Sequence, residues 1–220
     1  MPPPREPEDL QVEEPRPRRP VLAKVRDAAQ TLLLAGVMYL LVQFLVPPYA
    51  VDGASMAPNL SDGERLLVNR SVYAHFDANK IWNLLPGVDR VGEAIVYPFH
   101  APERGEIVVF NPPSGGEDPY IKRVIGLPGD EIAFAGGRVL VNGAPLSESY
   151  IEGAVTFCAA GPHCEATVPS GAVYVLGDNR RNSSDSRAFG PVSTDAVVGK
   201  AWISNWPPSD AGFVPDAEYE

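Results

Sequence analysis

The sequence predicts a mostly β protein: a single N-terminal transmembrane helix followed by an antiparallel β-sheet domain. Three observations carry that prediction. From Ala28 to Val51 no residue is charged. After residue 60 the apolar residues fall into short runs rich in Val and Ile. Gly, Pro, Asn and Asp bound those runs, and these residues punctuate strands.

A bilayer span needs about 20 predominantly apolar residues. Residues 28–46 supply such a stretch, with Gln30 and Gln43 near its two ends. Pro47 and Pro48 stop it, because proline lacks an N–H donor and clashes with the preceding turn. A cleaved leader has a shorter apolar region, of about 7–15 residues, and here 27 residues precede the run. Arg16, Arg18, Arg19, Lys24 and Arg26 lie just before the span, whereas the first basic residue after it is Arg65. That asymmetry predicts a cytoplasmic N-terminus, with residues 49–220 on the far side of the membrane. Residues 1–20, rich in Pro, Glu and Arg, read as a disordered tail.

The strand candidates are 65–68, 106–110, 120–125, 138–141, 172–176 and 196–203. Each is strand-length and rich in β-branched residues. Asn142-Gly143 directly after 138–141 is a strong hairpin signal. Residues 72–100 are less regular; Ile81, Trp82, Leu84 and Leu85 there suit either a core or a bilayer surface.

The net charge is −10, which argues against a nucleic-acid partner, since such proteins carry a basic stripe. Cys158 and Cys164 sit six apart in a loop-like segment and can close a small disulfide in an oxidising compartment. Free thiols are the alternative. A metal site is disfavoured because only His163 stands beside them, with no second cluster to complete four ligands.

None of the three histidines, His75, His100 and His163, lies in a segment that marks it as a catalytic base. Lysine offers another base. Lys122 is flanked by Ile121, Val124 and Ile125. Burial in such a strand would lower its pKa and let it accept a proton; on an alternating strand it could equally face solvent. Ser55, in Asp52-Gly53-Ala54-Ser55-Met56-Ala57-Pro58, follows the membrane helix closely, but alone it is a serine in a turn.

Together these segments carry a resemblance. Gly53 to Leu60 resembles the nucleophile box of the bacterial type I signal peptidases, usually Ser-Gly-Ser-Met-x-Pro-Thr-Leu. Asp62 to Arg70 is similar to the next box. Arg104 to Phe110, followed by Tyr120 to Asp130, resembles the lysine box, and Gly177 to Arg187 the last. Four boxes in order behind a membrane helix make a specific match, covering residues 28 to about 205.

The resemblance implies a Ser–Lys dyad endopeptidase that removes signal peptides from exported preproteins after Ala-X-Ala-like sites. Ser55 would be the nucleophile and Lys122 the general base. Ser183 matches the serine that orients the lysine, and Asp185 and Arg187 match a structural ion pair. The Ser55 and Gly53 backbone N–H groups would form the oxyanion hole; Gly53 supplies no side-chain hydroxyl where many relatives have one. Met56, Tyr120 and Ile121 would contact substrate. Asp178, Asn179 and Arg180 read at least as well as turn formers. Asp52 stands where proline is common and Arg181 where Asp is common.

No cofactor or metal is implied. The expected partners are preprotein signal peptides and membrane lipid, not nucleic acid, and the oligomeric state is left open. The implied location is the bacterial plasma membrane, with the catalytic domain on its outer side. The expected division is a cytoplasmic tail over 1–27, a transmembrane helix over 28–48 and a β domain over 49–220. Within that domain the core is about 49–130 and 172–206, with a small β-hairpin insertion over about 131–171 and a flexible tail over 207–220. Two other readings compete: a specialised Ser–Lys peptidase for conjugation, pilin-like or organellar substrates, and a non-catalytic membrane-anchored binding domain. A self-cleaving repressor-type protein would need a DNA-binding module, which the sequence does not show.

Overall fold

A computed structural model describes residues 21–219, except Glu93, Ser114, Glu117, Glu152 and residues 159–161. The chain divides into two units, Met1–Leu41 and Val42–Glu220. Most of the expected tail, residues 1–20, lies outside the described residues.

Helix α1 spans Val21–Leu45, beginning earlier than the expected 28. Lys24, Arg26 and Asp27 sit in its first turns, where charged side chains tolerate helix well and can reach past the apolar stretch. From Leu22 to Phe44 its Leu, Val and Phe side chains are exposed. A helix apolar all round and exposed suits lipid as its solvent. It ends where Pro47 disfavours the helical region for the residue before it.

Strand β1 (Pro48–Ala50) follows at once, and β2 (Arg65–Asn69) pairs back onto it. Strands β3 (Phe76–Asp77) and β4 (Ile95–Val96) form a small ribbon around helix α2 (Ala78–Trp82). Here Ile81, Trp82, Leu84 and Leu85 are exposed, so this apolar stretch is not core. Next come β5 (Ile107–Phe110), β6 (Tyr120–Gly126), β7 (Glu131–Ala135), β8 (Arg138–Val141) and β9 (Ala144–Pro145). The remaining strands are β10 (Ala166–Thr167), β11 (Ala172–Leu176), β12 (Val192–Ser193), β13 (Val197–Trp206) and β14 (Gly212–Phe213), with helix α3 (Ser186–Phe189) between β11 and β12.

The main sheet has eight strands in the order β1-β2-β13-β5-β6-β11-β12, with β14 also on β13. All its pairings are antiparallel. Its central strands are buried on both faces. Along β5, Ile107 and Val109 join one core cluster while Val108 and Phe110 join another. This is why β5 reads as a continuous apolar run rather than an alternating one. Along β11, Val173 and Val175 face one cluster, and Tyr174 and Leu176 the cluster shared with β7 and β8.

A second sheet, β10-β7-β8-β9, occupies the expected insertion. Its β8–β9 hairpin turns through Asn142 (φ 54°) and Gly143 (φ 81°). Two successive positive φ values are what a type I′ turn requires, so Asn-Gly was a sound signal.

Part of the segment 207–219 contacts the sheet. β14 pairs β13, Val214 is buried, and Ala217 N–H donates to Gly105 O at 3.1 Å. Asp216 pairs with Lys200 at 2.6 Å. Gly105 makes the approach possible, since a Cβ there would lie 2.0 Å from Ala217 O. The polar, proline-containing composition hid this docking because only a few side chains carry it.

Candidate active site

Ser55 sits in a loop between β1 and β2. Met56 and Leu60, both fully buried, pin the loop to the core, and Leu60 N–H donates to Met56 O at 3.0 Å. Gly53 adopts φ +82°, a conformation L side chains rarely take, which fits glycine at this bend. From the turn after β11, Asn179 clamps the loop twice. Its backbone N–H donates to Ser55 O and its Nδ2 to Ala54 O, both at 3.0 Å.

Lys122 lies on β6, opposite Val108 of β5. It is 4% exposed. Its Nζ donates to Ser55 Oγ at 2.8 Å and to Ile121 O at 2.8 Å, and sits 5.2 Å from the centre of the Tyr120 ring. Burial lowers its pKa to about 8, against the opposing pull of the Asp185 and Asp178 charges. Two residues 67 apart in sequence are thus in hydrogen-bond contact. A hydroxyl facing a lysine that can shed its proton near neutral pH can form a nucleophile–base pair.

Arg123, next along β6, turns to the opposite face. Its Nε and Nη2 grip Asp178 at 2.9 and 2.7 Å, its Nη1 donates to Gly105 O at 2.7 Å, and the guanidinium lies 4.4 Å from the Tyr150 ring centre. Arg123 and Asp178 are both 1% exposed. Asn59 Nδ2 also donates to Asp178 at 2.8 Å. So β6, the turn after β11 and the Ser55 loop are tied together behind the Ser–Lys contact.

The other expected site residues divide. Asp185 and Arg187 form the expected ion pair, doubly bonded at 2.8 Å each, and Asp185 also accepts from Gly177 N–H at 3.1 Å. Ser183 does not hydrogen-bond Lys122. Its buried Oγ has no partner among the described residues and packs over Gly177 instead. A Cβ at position 177 would stand 2.2 Å from Ser183 Oγ and 2.6 Å from Ser55 O, so the bare glycine lets these segments close together. Gly53 cannot serve as a free oxyanion donor, since its N–H is taken by Asp62 Oδ1 at 2.8 Å. The Ser55 N–H has no acceptor among the described residues. Met56 faces the core and not the substrate side, because its side chain is what anchors the loop. Tyr120 and Ile121, by contrast, line a cavity of about 490 Å³ with Ser55, Lys122 and the 49–52 segment.

Cys158 and Cys164 are joined, with S–S at 1.98 Å. Among the described residues one group, His100, Glu103 and Glu106, could share a cation. Glu106 is already served there by Lys200 at 2.7 Å and Tyr73 at 2.7 Å. Burial pushes its carboxyl up, but these partners hold it below the usual range. It needs no ion.

Sequence reasoning undervalued Asp178 and Asn179 as turn formers. The signal that could have found Asp178 was Arg123: a second cation on an apolar strand needs a carboxylate when buried.

A serine hydroxyl held against a desolvated lysine has the geometry of a nucleophile–base pair. The comparisons with known proteins show the family. The family described as "Signal peptidase, peptidase S26" matches residues 25–206, and the chain belongs to it. "Signal peptidase I" of Leptolyngbya laminosa is 33% identical over 208 residues, covering 90% of this chain and 86% of that one. "Probable signal peptidase I-2" of Synechocystis sp. is 34% identical over 199 residues, with 86% and 77% covered. A solved signal peptidase I from Enterococcus faecalis V583 is 35% identical at TM-score 0.40, covering 45% of this chain and 95% of that one. Membership assigns the class of activity: a serine peptidase that removes signal peptides, carried behind an N-terminal apolar anchor.

Proposed function

We propose that Ser55 and Lys122 are the catalytic dyad and that the chain cuts preproteins after Ala-X-Ala-like sites at the outer face of a bacterial plasma membrane. The observation that carries this reading is the 2.8 Å contact between a buried lysine amine and the Ser55 hydroxyl. Neutral Lys122 takes the Ser55 proton as Oγ attacks the scissile carbonyl. The intermediate collapses as the peptide C–N bond breaks and the Lys122 ammonium gives its proton to the departing amine. The lysine, neutral again, takes a proton from the water that attacks the acyl-enzyme and returns it to Ser55 Oγ as the ester bond breaks. With the lysine pKa at about 8, about a tenth of molecules are ready at pH 7 and about half at pH 8.

The Ser55 N–H is the backbone donor best placed for the oxyanion. Ser183 and Gly177 act by packing the two loops together, and Asp185–Arg187 and Arg123–Asp178 hold the frame. Substrate enters extended between residues 49–52 and 118–121, where Ala50, Val51 and Ile121 leave shallow apolar space suited to alanine side chains. The basic flank before the helix supports a cytoplasmic N-terminus.

The test is cleavage of an Ala-X-Ala preprotein by the full chain in detergent micelles, beside Ser55→Ala and Lys122→Ala. Cutting after the second alanine by wild type alone supports the reading. Full activity in either folded variant overturns it.

A further inference from the structure

The cavity beside Ser55 and Lys122 carries two carboxylates that the proposed chemistry does not use. Asp52 and Asp118 are both exposed, one on each of the two chain segments that form the cavity. Among the described lining residues Lys122 is the sole cation, and its Nζ is turned to Ser55 Oγ and Ile121 O. The rim is therefore negative. Asp185 and Asp178 are the carboxylates whose charges act on Lys122. The two rim carboxylates are thus separable from the base.

A peptide bound extended in this cleft sends successive side chains in opposite directions. With the first and third residues before the cut set against the wall of Ala50, Val51 and Ile121, as proposed above, the second would point outward, past the rim. We infer that Asp52 and Asp118 select a cationic side chain, Lys or Arg, at the residue between the two small ones. This inference rests on the peptidase reading above and adds a substrate preference to it. Exposed carboxylates act weakly, so each contributes about a two- to five-fold preference. Added salt shortens the reach of both charges and shrinks the preference.

The experiment uses the full chain in a non-ionic detergent at low ionic strength. Three otherwise identical peptides carry Ala-Lys-Ala, Ala-Gln-Ala or Ala-Glu-Ala before the cut, and kcat/KM is measured for each. Wild type is expected to favour Lys over Glu by about ten-fold, with Gln between. In the Asp52→Asn/Asp118→Asn double variant, and for wild type in high salt, the ratio is expected to fall below about two-fold. The acid limb of the pH profile is expected to stay in place in that variant. General damage to the fold would slow all three peptides alike and leave their ratio intact.

Equal cleavage of all three by wild type, or a ratio that survives in the double variant, overturns the charge selection and leaves the peptidase reading standing. Cleavage of none of the three overturns the peptidase reading and this inference with it.

Discussion

Lys122 and Arg123 are neighbours on one strand, both cut off from water, and their pKa values move in opposite directions. Arg123 meets a carboxylate with two hydrogen bonds and stays charged; Asp178 raises its pKa against the cost of burial. Lys122 meets a hydroxyl and a carbonyl, neither of which supplies charge, and burial wins. The difference teaches that burial alone does not make a base. Burial without a paired carboxylate does, and strand alternation separates the two cases by one residue.

The comparison can be broken from the lysine side first. Lys122→Met and Ser55→Ala are each expected to lower kcat/KM by about 10,000-fold, measured on an Ala-X-Ala peptide, because the pair acts as a unit. From the arginine side, Asp178→Ala leaves a buried guanidinium uncompensated. It is expected to lower stability by about 3–5 kcal/mol in urea unfolding.

Lys122→Met should do the reverse. Below pH 8 wild type holds a proton on a desolvated amine in the folded state, so the variant is expected to be more stable by about 1–3 kcal/mol. The sign follows from the depressed folded pKa. Between about 8 and 10.5 the unfolded chain binds more protons than the folded one, so wild-type stability rises with pH and the gap closes. Unfolding curves at pH 6.5 and pH 10 check it; a gap that widens with pH contradicts it. The smallest effect is expected from Asn179→Ala, which removes one of the two clamps on the Ser55 loop. It should cost about 1 kcal/mol of stability and change kcat more than KM.

Much of this was legible in the sequence because short-range chemistry wrote it there. The Asn-Gly turn and the run 172–176 need only local rules, and they fall where expected; the apolar span lies within a helix that begins seven residues earlier, at Val21. The pairing of Ser55 with Lys122 came from resemblance, since no local rule links residues on separate strands. What local rules do not reach is where a side chain or an N–H points. Met56 sits one residue from Ser55 but faces the core. Gly53 N–H is claimed by Asp62, nine residues on. Ser183 is near the site yet turned to Gly177. Asp178 and Asn179 carried turn-forming composition, and only the three-dimensional closure made them a buried ion-pair partner and a loop clamp. The segment 207–219 lacked an apolar pattern because hydrogen bonds and a few side chains hold it.

The most direct measurement is the pH dependence of kcat/KM for an Ala-X-Ala peptide, read on wild type between pH 6 and pH 10. A desolvated, unpaired Lys122 gives an acid limb with an apparent pKa near 8, activity falling about ten-fold per pH unit below it. A flat profile across that range, or a limb near the ordinary lysine value of 10.5, would contradict the assignment of Lys122 as a base made neutral by burial.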